Sequence, residues 1–155
     1  MDHPGVELVT QTLRTHGAQG VVRVLPDSAR TAAEAASALG VEIGAIVNSL
    51  VFEADGQPVL ILTSGSHRVD VELVANLHDL PPLRRATPEF VRTHTGQAIG
   101  GVAPVGHPTP LRTLIDEALS EHAEIWAAAG HPHAVFPTTY DELIVFTGGT
   151  TTRVG

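Results

Sequence analysis

The chain lacks two residue types that carry much of protein chemistry, because its 155 residues include no cysteine and no lysine. The absence of cysteine excludes a disulfide framework, a thiolate nucleophile and a cysteine-ligated metal. The absence of lysine excludes Schiff-base chemistry and a lysine general base. Any active site must therefore be built from other side chains or from the main chain itself.

Positive charge is also scarce. Nine basic residues, all of them arginine, stand against seventeen acidic ones, and the net charge is −8. Affinity for nucleic acid comes mostly from cations at phosphates, so strong autonomous binding is not expected, and DNA is not an expected partner. Binding to a nucleic acid would therefore require a local cluster of arginines. Arg84, Arg85 and Arg92 lie close enough in sequence to form one, with a solvated surface as the alternative.

Long apolar runs are missing, so no membrane span is expected. The N-terminus, Met1 to Pro4, has neither the basic region nor the apolar stretch of a signal peptide, and we expect a cytoplasmic protein. With 43% apolar and 17% charged residues, the chain is long enough to bury a real core. We expect a single domain over residues 1–155.

Local signals predict a mixture of helices and strands. Thr31 and Glu34 have the spacing of a capping box, and Gly40 closes the helix that they begin. Asp55–Gly56 is a favoured turn pair between predicted strands at 46–53 and 58–63. Further helices are predicted from Pro4 to His16, Asp70 to Leu77, Thr87 to Gly96 and Thr139 to Gly148, with a strand at 21–25. Residues 111–119 fit a helix or a short strand. The mixture predicts one α/β unit.

A polar pair interrupts the apolar strand "IVNSLVF", residues 46–52. Pleating places Asn48 on one face and Ser49 on the other, each among apolar neighbours. An amide removed from water costs about 1–3 kcal/mol unless it is hydrogen-bonded. Asn48 therefore either joins a hydrogen-bond network in the core or lines a solvated pocket, and both interpretations stay open.

A glycine-rich loop, "TGQAIGGVAPVGHPTP", spans residues 95–110. Glycine leaves neighbouring N–H groups unshielded, so Gly100 and Gly101 could aim their amides at a carbonyl oxygen or a phosphate. The spacing is neither that of a Walker A loop nor that of a dinucleotide fingerprint. A purely structural turn is the alternative.

Taken in order, a set of segments resembles the YbaK/prolyl-tRNA-synthetase-associated editing domain family. No single segment is diagnostic, but the ordered set covers nearly the whole chain. The resemblance implies one α/β domain in which helices surround a curved, largely antiparallel (mixed) sheet, and it implies that "LRTLI" is a strand. The segments are "TAAEAASALGV", "IVNSLVF", "TSGSHRVDVELVANL", "RRATPEFVRTHTG", "IGGVAPVG", "TLIDEAL", "WAAAGHPHAVFPTTYDEL" and "FTGG".

Many members of that family are freestanding deacylases that hydrolyse the ester between a wrong amino acid and tRNA, such as cysteine or alanine on proline tRNA. A synthetase pocket rejects a missing methylene by only about 1–3 kcal/mol, so a second, hydrolytic site is needed. The resemblance implies a trans-editing hydrolase that meets the 3′ end of aminoacyl-tRNA, with prolyl-tRNA synthetase as a further partner. We expect no cofactor and no metal.

The resemblance also implies catalytic roles for three residues. Gly100 and Gly101 match the family's glycine loop, and their amides are expected to stabilise the oxyanion, each worth about 10²–10³ in rate. Asn48 stands where the family typically carries a lysine that is important for activity. An asparagine offers a donor and an acceptor without charge, so we expect it at the pocket mouth, orienting a carbonyl or a water. The change indicates either altered substrate choice or weaker catalysis.

A wider set of residues is implied for substrate binding. His131 matches the segment that lines the amino-acid pocket and could relay a proton near neutral pH, with a plain loop histidine as the alternative. Asp116 lies at a strand end, where anchoring backbone is its more usual role. Val135 stands where the branch that acts on cysteinyl-tRNA often has an acidic residue, so the resemblance does not imply specificity for cysteine over other small amino acids. The full set is Thr31, Ser49, Ser64, Gly65, Pro104, Asp116, Gly130 and His131.

Two other classes of function remain open. The fold could be retained without hydrolysis, as a module that binds tRNA or a synthetase, and the missing lysine and the acidic charge favour this. A histidine metal site could instead form around His131 and His133, with His94, His107 and His122 as further ligands, although the spacing is not that of a helical pair.

Overall fold

The chain mixes helices and strands, as the local signals predict. The computed structural model describes residues 4–17, 20–26, 31–97, 101–109, 111–131 and 133–155. Its α-helices are α1 (Pro4–Thr15), α2 (Ala32–Leu39), α3 (Val71–Leu77), α4 (Pro88–Thr95) and α5 (Tyr140–Thr147). Its strands are β1 (Arg23–Val24), β2 (Val47–Ala54), β3 (Gln57–Ser64), β4 (Leu83–Arg85), β5 (Arg112–Asp116), β6 (Ile125–His131), β7 (Ala134–Thr138) and β8 (Thr150–Thr152). Short 3-10 helices cover Ile43–Ala45 and Glu117–Glu121.

The strands form two sheets. A five-stranded mixed sheet has the order β4-β2-β3-β5-β8, in which β2 is antiparallel to β3 and β4, while β5 runs parallel to β3 and β8. A three-stranded antiparallel sheet has the order β1-β7-β6. A parallel bridge between Ile46 and Trp126 joins them. The expected α/β class with a mixed sheet is confirmed, as is a strand at "LRTLI".

Local chemistry explains where the elements begin and end. Thr31 and Glu34 form the predicted capping box at the start of α2, and Gly40 ends that helix in the left-handed region. The turn between β2 and β3 has positive φ at both Asp55 and Gly56, as the Asp-Gly pair predicts. The start of α5 has the same Thr-x-x-Glu spacing, at Thr139 and Glu142, but only half of a capping box forms there: Thr139 accepts from Glu142 N–H, whereas the Glu142 carboxylate accepts from Thr138 Oγ1. The strand predicted at 21–25 is shorter than expected, at two residues.

The core lies on both faces of the five-stranded sheet. On one face, Val51, Leu60 and Leu62 pack with Phe136 of β7 and with Val9 of α1. On the other, strand side chains pack against α3 and the C-terminal Val154. Burying such side chains contributes about 1.5–3 kcal/mol each. No helix among the described residues is long and apolar enough to cross a membrane.

Candidate active site

A cavity of about 230 Å³ opens beside β2. Most of its wall is aliphatic, from Val47, Leu50, Val51, Ala86, Val91, Val102 and Ala128. Asn48, Ser49 and Arg85 are the polar residues in the same wall. The predicted strand residues Asn48 and Ser49 therefore meet the glycine loop, which contributes Val102, at one small pocket.

The pocket exists because one edge of β2 is only partly covered. β4 pairs with β2 over Phe52–Ala54, and Ile46 bridges to Trp126. Between these two contacts no described strand pairs with that edge. Val51 O accepts a hydrogen bond from Ala86 N–H at 3.3 Å on this side. Main-chain groups of alternate residues in an antiparallel strand point the same way, so the N–H and C=O of Ser49 point to the cavity side.

Asn48 is not a satisfied core amide. It is partly buried, it lines the cavity, and its side-chain amide makes no hydrogen bond to a described residue. Its cross-strand partner is Thr63, so the two side chains share one face of the sheet. Of the two interpretations of the amide, the pocket-lining one agrees with the structure.

Ser49 lines the cavity with atoms other than its hydroxyl oxygen. Its Oγ is buried and has no hydrogen-bond partner among the described residues, whereas the residue as a whole is partly exposed. The exposed part of Ser49 therefore lies on its other atoms. This agrees with the direction of its main-chain N–H and C=O.

The glycine loop reaches the cavity through the residue that follows Gly101. Val102 lines the cavity, and Gly101 itself is buried. Gly100 lies outside the described residues, so its predicted role stays a prediction. Pro104 is buried and lines a separate cavity of about 150 Å³ together with His107 and Phe146.

Asp116 forms a second polar centre, which does not line the 230 Å³ cavity. Its side chain is almost fully buried, with 1% of the residue exposed. Oδ2 accepts from Ser64 N–H at 3.0 Å and Thr63 Oγ1 at 3.2 Å, and it lies 3.0 Å from His67 Nδ1. Oδ1 accepts from Ala118 N–H at 3.0 Å. The carboxylate therefore holds the ends of β3 and β5 together, the anchoring role that a strand-end aspartate predicts.

The other predicted binding residues lie in several places. The hydroxyl of Ser64 donates a hydrogen bond to Gly44 O at 2.8 Å. Gly65 N–H donates to Ile46 O at 2.7 Å. Thr31 caps α2. Gly130 and His131 end β6, where Gly130 has a φ of +95°. None of these lines the 230 Å³ cavity, and their proposed contact with substrate stays a prediction.

A larger cavity, of about 550 Å³, lies at the turn end of the β2–β3 hairpin. Asp55, Gln57, His94 and Arg112 are among its walls. It contains none of the predicted catalytic or substrate-binding residues. Size alone would favour this cavity, but the convergence of Asn48, Ser49 and the glycine loop favours the smaller one.

Sequence reasoning missed part of the pocket wall. Arg85 was expected only in a surface patch, and Ala128 gave no local signal. Both arrive through long-range packing, from β4 and β6. Arg84, the neighbour of Arg85, is instead ion-paired with Glu53 at 2.7 Å.

Two of the candidate metal ligands, His131 and His133, lie close together at the end of β6 and just after it. The rings of His131 and His133 lie 5.6 Å apart, and His133 N–H donates to His131 Nδ1 at 3.2 Å. Within the described part of the chain, no group of three or more His, Cys, Asp or Glu side chains could hold a metal ion.

The fold and the site define an α/β domain in which a partly open strand edge and a glycine loop face one small cavity. The family model of the aminoacyl-tRNA editing domain matches residues 26–146. The chain belongs to this family, as its sequence motifs predicted, and the family assigns it a role in tRNA editing.

Similar proteins agree with this assignment. A solved structure described as a candidate trans-editing enzyme for prolyl tRNA synthetase is 46% identical, covers 99% of this chain and 98% of its own, and has a TM-score of 0.93. The proline–tRNA ligase of Nitratidesulfovibrio vulgaris (strain DP4) is 34% identical over 116 residues, which are 74% of this chain and 20% of the ligase. Uncharacterized protein YwhH of Bacillus subtilis (strain 168) is 28% identical over 141 residues, 88% of this chain and 89% of YwhH.

The chain spans about a fifth of the length of the proline–tRNA ligases that it matches. It corresponds to one part of those synthetases and, nearly end to end, to YwhH and to the candidate trans-editing enzyme.

Proposed function

We propose that this chain is a trans-editing deacylase that hydrolyses the ester of mischarged aminoacyl-tRNA. The substrate carries a small amino acid, such as alanine or cysteine, on proline tRNA. The observation that carries the proposal is the convergence of Asn48, Ser49 and the glycine loop on one cavity of about 230 Å³. Its aliphatic wall suits a small side chain.

The reaction needs little beyond positioning and charge stabilisation, because the ester is already activated. A water oxygen attacks the carbonyl carbon, and the carbonyl oxygen becomes an oxyanion. The oxyanion then re-forms the C=O bond as the ester C–O bond breaks, which gives the free amino acid, and the ribose oxygen leaves with the proton that the attacking water gives up. The main-chain N–H of Gly101, together with that of Gly100, donates to the oxyanion, the kind of contact worth about 10²–10³ in rate. Asn48 orients the carbonyl or the water.

Nucleic-acid binding by an acidic chain requires a local cation. Arg85 is the cation in the cavity wall, whereas the guanidinium of Arg84 is occupied by Glu53. We place the RNA chain on the Arg85 side of the pocket. The match to part of proline–tRNA ligases supports prolyl-tRNA synthetase as a partner, and the cytoplasm as the place of action.

A panel of tRNAs charged with cysteine, alanine, serine and threonine tests the proposal. Wild-type protein should release at least one of the small amino acids well above the buffer rate. The same tRNAs without protein give the spontaneous rate. No release above that rate for any member of the panel would contradict the assignment as a deacylase.

The second function is a non-hydrolytic module that binds tRNA or a synthetase. Asn48 favours it, because the amide replaces the charge of the family's lysine. Asn48→Lys separates the two functions. An active wild-type chain, with activity changed by the substitution, supports the deacylase, whereas a chain that binds charged tRNA but releases nothing, with or without the lysine, supports the binding module.

A further inference from the structure

We propose that Gln97 is a positioning residue for the glycine loop, which it clamps so that the Gly101 amide faces the cavity. The inference rests on the proposed function and adds a residue to it. Gln97 does not line the cavity and would not touch the substrate. It acts through the main chain at Ala103, two residues beyond Gly101.

The Gln97 side chain is buried and fully engaged, with 4% of the residue exposed. Its Oε1 accepts from Ala103 N–H at 2.7 Å. Its Nε2 donates to Val105 O at 3.2 Å and to Gly106 O at 3.5 Å. The Gln97 amide thus forms hydrogen bonds to main-chain groups of three loop residues, Ala103, Val105 and Gly106. Residues 101–107 contain no helix or strand, so no regular ladder holds them.

The base of the clamp is itself fixed. Gly96 ends α4 in the left-handed region, with φ +73°, and turns the chain back at Gln97. Gln97 N–H then donates to Thr95 Oγ1 at 3.0 Å, while that hydroxyl donates to Val91 O at 2.7 Å. The end of α4 therefore sets the position from which the Gln97 side chain reaches the loop.

His107 bonds the other main-chain group of the same residue, the carbonyl of Ala103. Its Nε2 lies 2.7 Å from Ala103 O, and because a carbonyl only accepts, the imidazole carries its hydrogen on Nε2. Burial lowers the pKa of His107, and the hydrogen bond to Ala103 opposes that in part. The N–H and C=O of Ala103 are thus both bonded by side chains.

The clamp bears on catalysis because of where it acts. Val102 lines the cavity and stands between Gly101 and the clamped Ala103. A displacement of about 1 Å in a catalytic group can cost about 100-fold in rate. A loop without regular structure could drift by that much once its side-chain bonds are lost, while the rest of the fold stays in place.

Two variants test the clamp by steady-state deacylation. Gln97→Met keeps the volume but loses all three bonds, and we expect kcat to fall about 10- to 100-fold while KM changes less than about twofold. Gln97→Glu keeps an acceptor, and only its protonated form can also donate to Val105 O. Burial raises the pKa of such a carboxyl. The ratio of its kcat to that of wild type should therefore rise as the pH falls from about 8 to about 6.

Thr138→Val is the control. Thr138 is buried and donates to Glu142 Oε1 at 2.9 Å, away from the loop, so its loss removes a buried hydrogen bond without touching the clamp. We expect its kcat to equal that of wild type. If Gln97→Met does not fold, the pH ratio of Gln97→Glu decides. If wild type is active, two results would overturn the clamp but not the proposed function. One is an unchanged kcat in Gln97→Met, and the other is a ratio of Gln97→Glu kcat to wild-type kcat that does not change with pH. An inactive wild type would overturn the proposed function.

Discussion

The molecule has two neighbouring polar centres, one at the cavity of Asn48 and one at Asp116. They adjoin because Asn48 is the cross-strand partner of Thr63, which donates to Asp116. They differ in whether their polar groups have hydrogen-bond partners. At Asp116 both carboxylate oxygens have hydrogen-bond partners, and the carboxylate joins β3, β5 and the loop of His67. At the cavity, the Asn48 amide is unmatched by described residues, and the Ser49 main chain faces an uncovered strand edge. Matched buried polar groups hold a fold together. Unmatched groups that line a cavity are left to bond something else.

Family resemblance alone had grouped both centres in one site. The difference between them predicts that substitutions at Asp116 mainly change stability and that substitutions around Asn48 mainly change activity. Each prediction below tests one side of that contrast.

Asp116→Ala should have the largest effect, on stability. Removing the carboxylate leaves the buried N–H of Ser64 and the partly buried N–H of Ala118 without this partner, and a buried group left unpaired costs about 1–3 kcal/mol. We expect a loss of about 3 kcal/mol in the free energy of unfolding. Urea denaturation measures it, and the folded fraction should still deacylate at close to the wild-type rate. A loss below about 1 kcal/mol would show that the network is not a structural anchor.

Asn48→Ala should show the opposite pattern. Its amide bonds no described residue, so the free energy of unfolding should change by less than about 0.5 kcal/mol. The rate of deacylation should fall about tenfold, the scale of one hydrogen bond made in the transition state. Single-turnover kinetics on the best substrate of the panel measure this. An unchanged rate would remove Asn48 from the site.

Thr31→Ala should have the smallest effect, and we expect that effect on stability and not on deacylation. Thr31 accepts from Glu34 N–H at 3.1 Å, and its own N–H donates to Glu34 Oε1 at 3.1 Å. Loss of such a cap costs about 1 kcal/mol of stability. Thermal unfolding measures this, and deacylation should not change. Thr31→Ser, which keeps the capping oxygen, is the control. A reduced rate in Thr31→Ala with intact stability would return Thr31 to the substrate site.

Local chemistry made much of the fold predictable. Caps at Thr31, Asp70 and Thr87, and the Asp55–Gly56 turn, act within a few residues, and each was found where the sequence placed it. The segment 111–119 could not be assigned from periodicity. It becomes β5 through parallel pairing with β3, a contact between distant parts of the chain.

The site was predictable only in part for the same reason. Asn48 stood out because a polar group interrupted an apolar strand, and the glycine loop because of its composition. The positions of Arg85 and Ala128 depend on how β4 and β6 pack near β2, and no local pattern reports that. In the sequence, Gln97 is an ordinary polar residue after a helix. Its hydrogen bonds to the loop form only when the loop folds back over it, and no local pattern predicts them.

The measurement that tests the central claim most directly is the deacylation rate of Gly101→Pro. Proline removes the main-chain N–H that we assign to the oxyanion. We predict a fall of about 100-fold or more in the single-turnover rate, with charged tRNA still bound and with cooperative urea unfolding retained. A folded Gly101→Pro chain that deacylates at the wild-type rate would contradict the account.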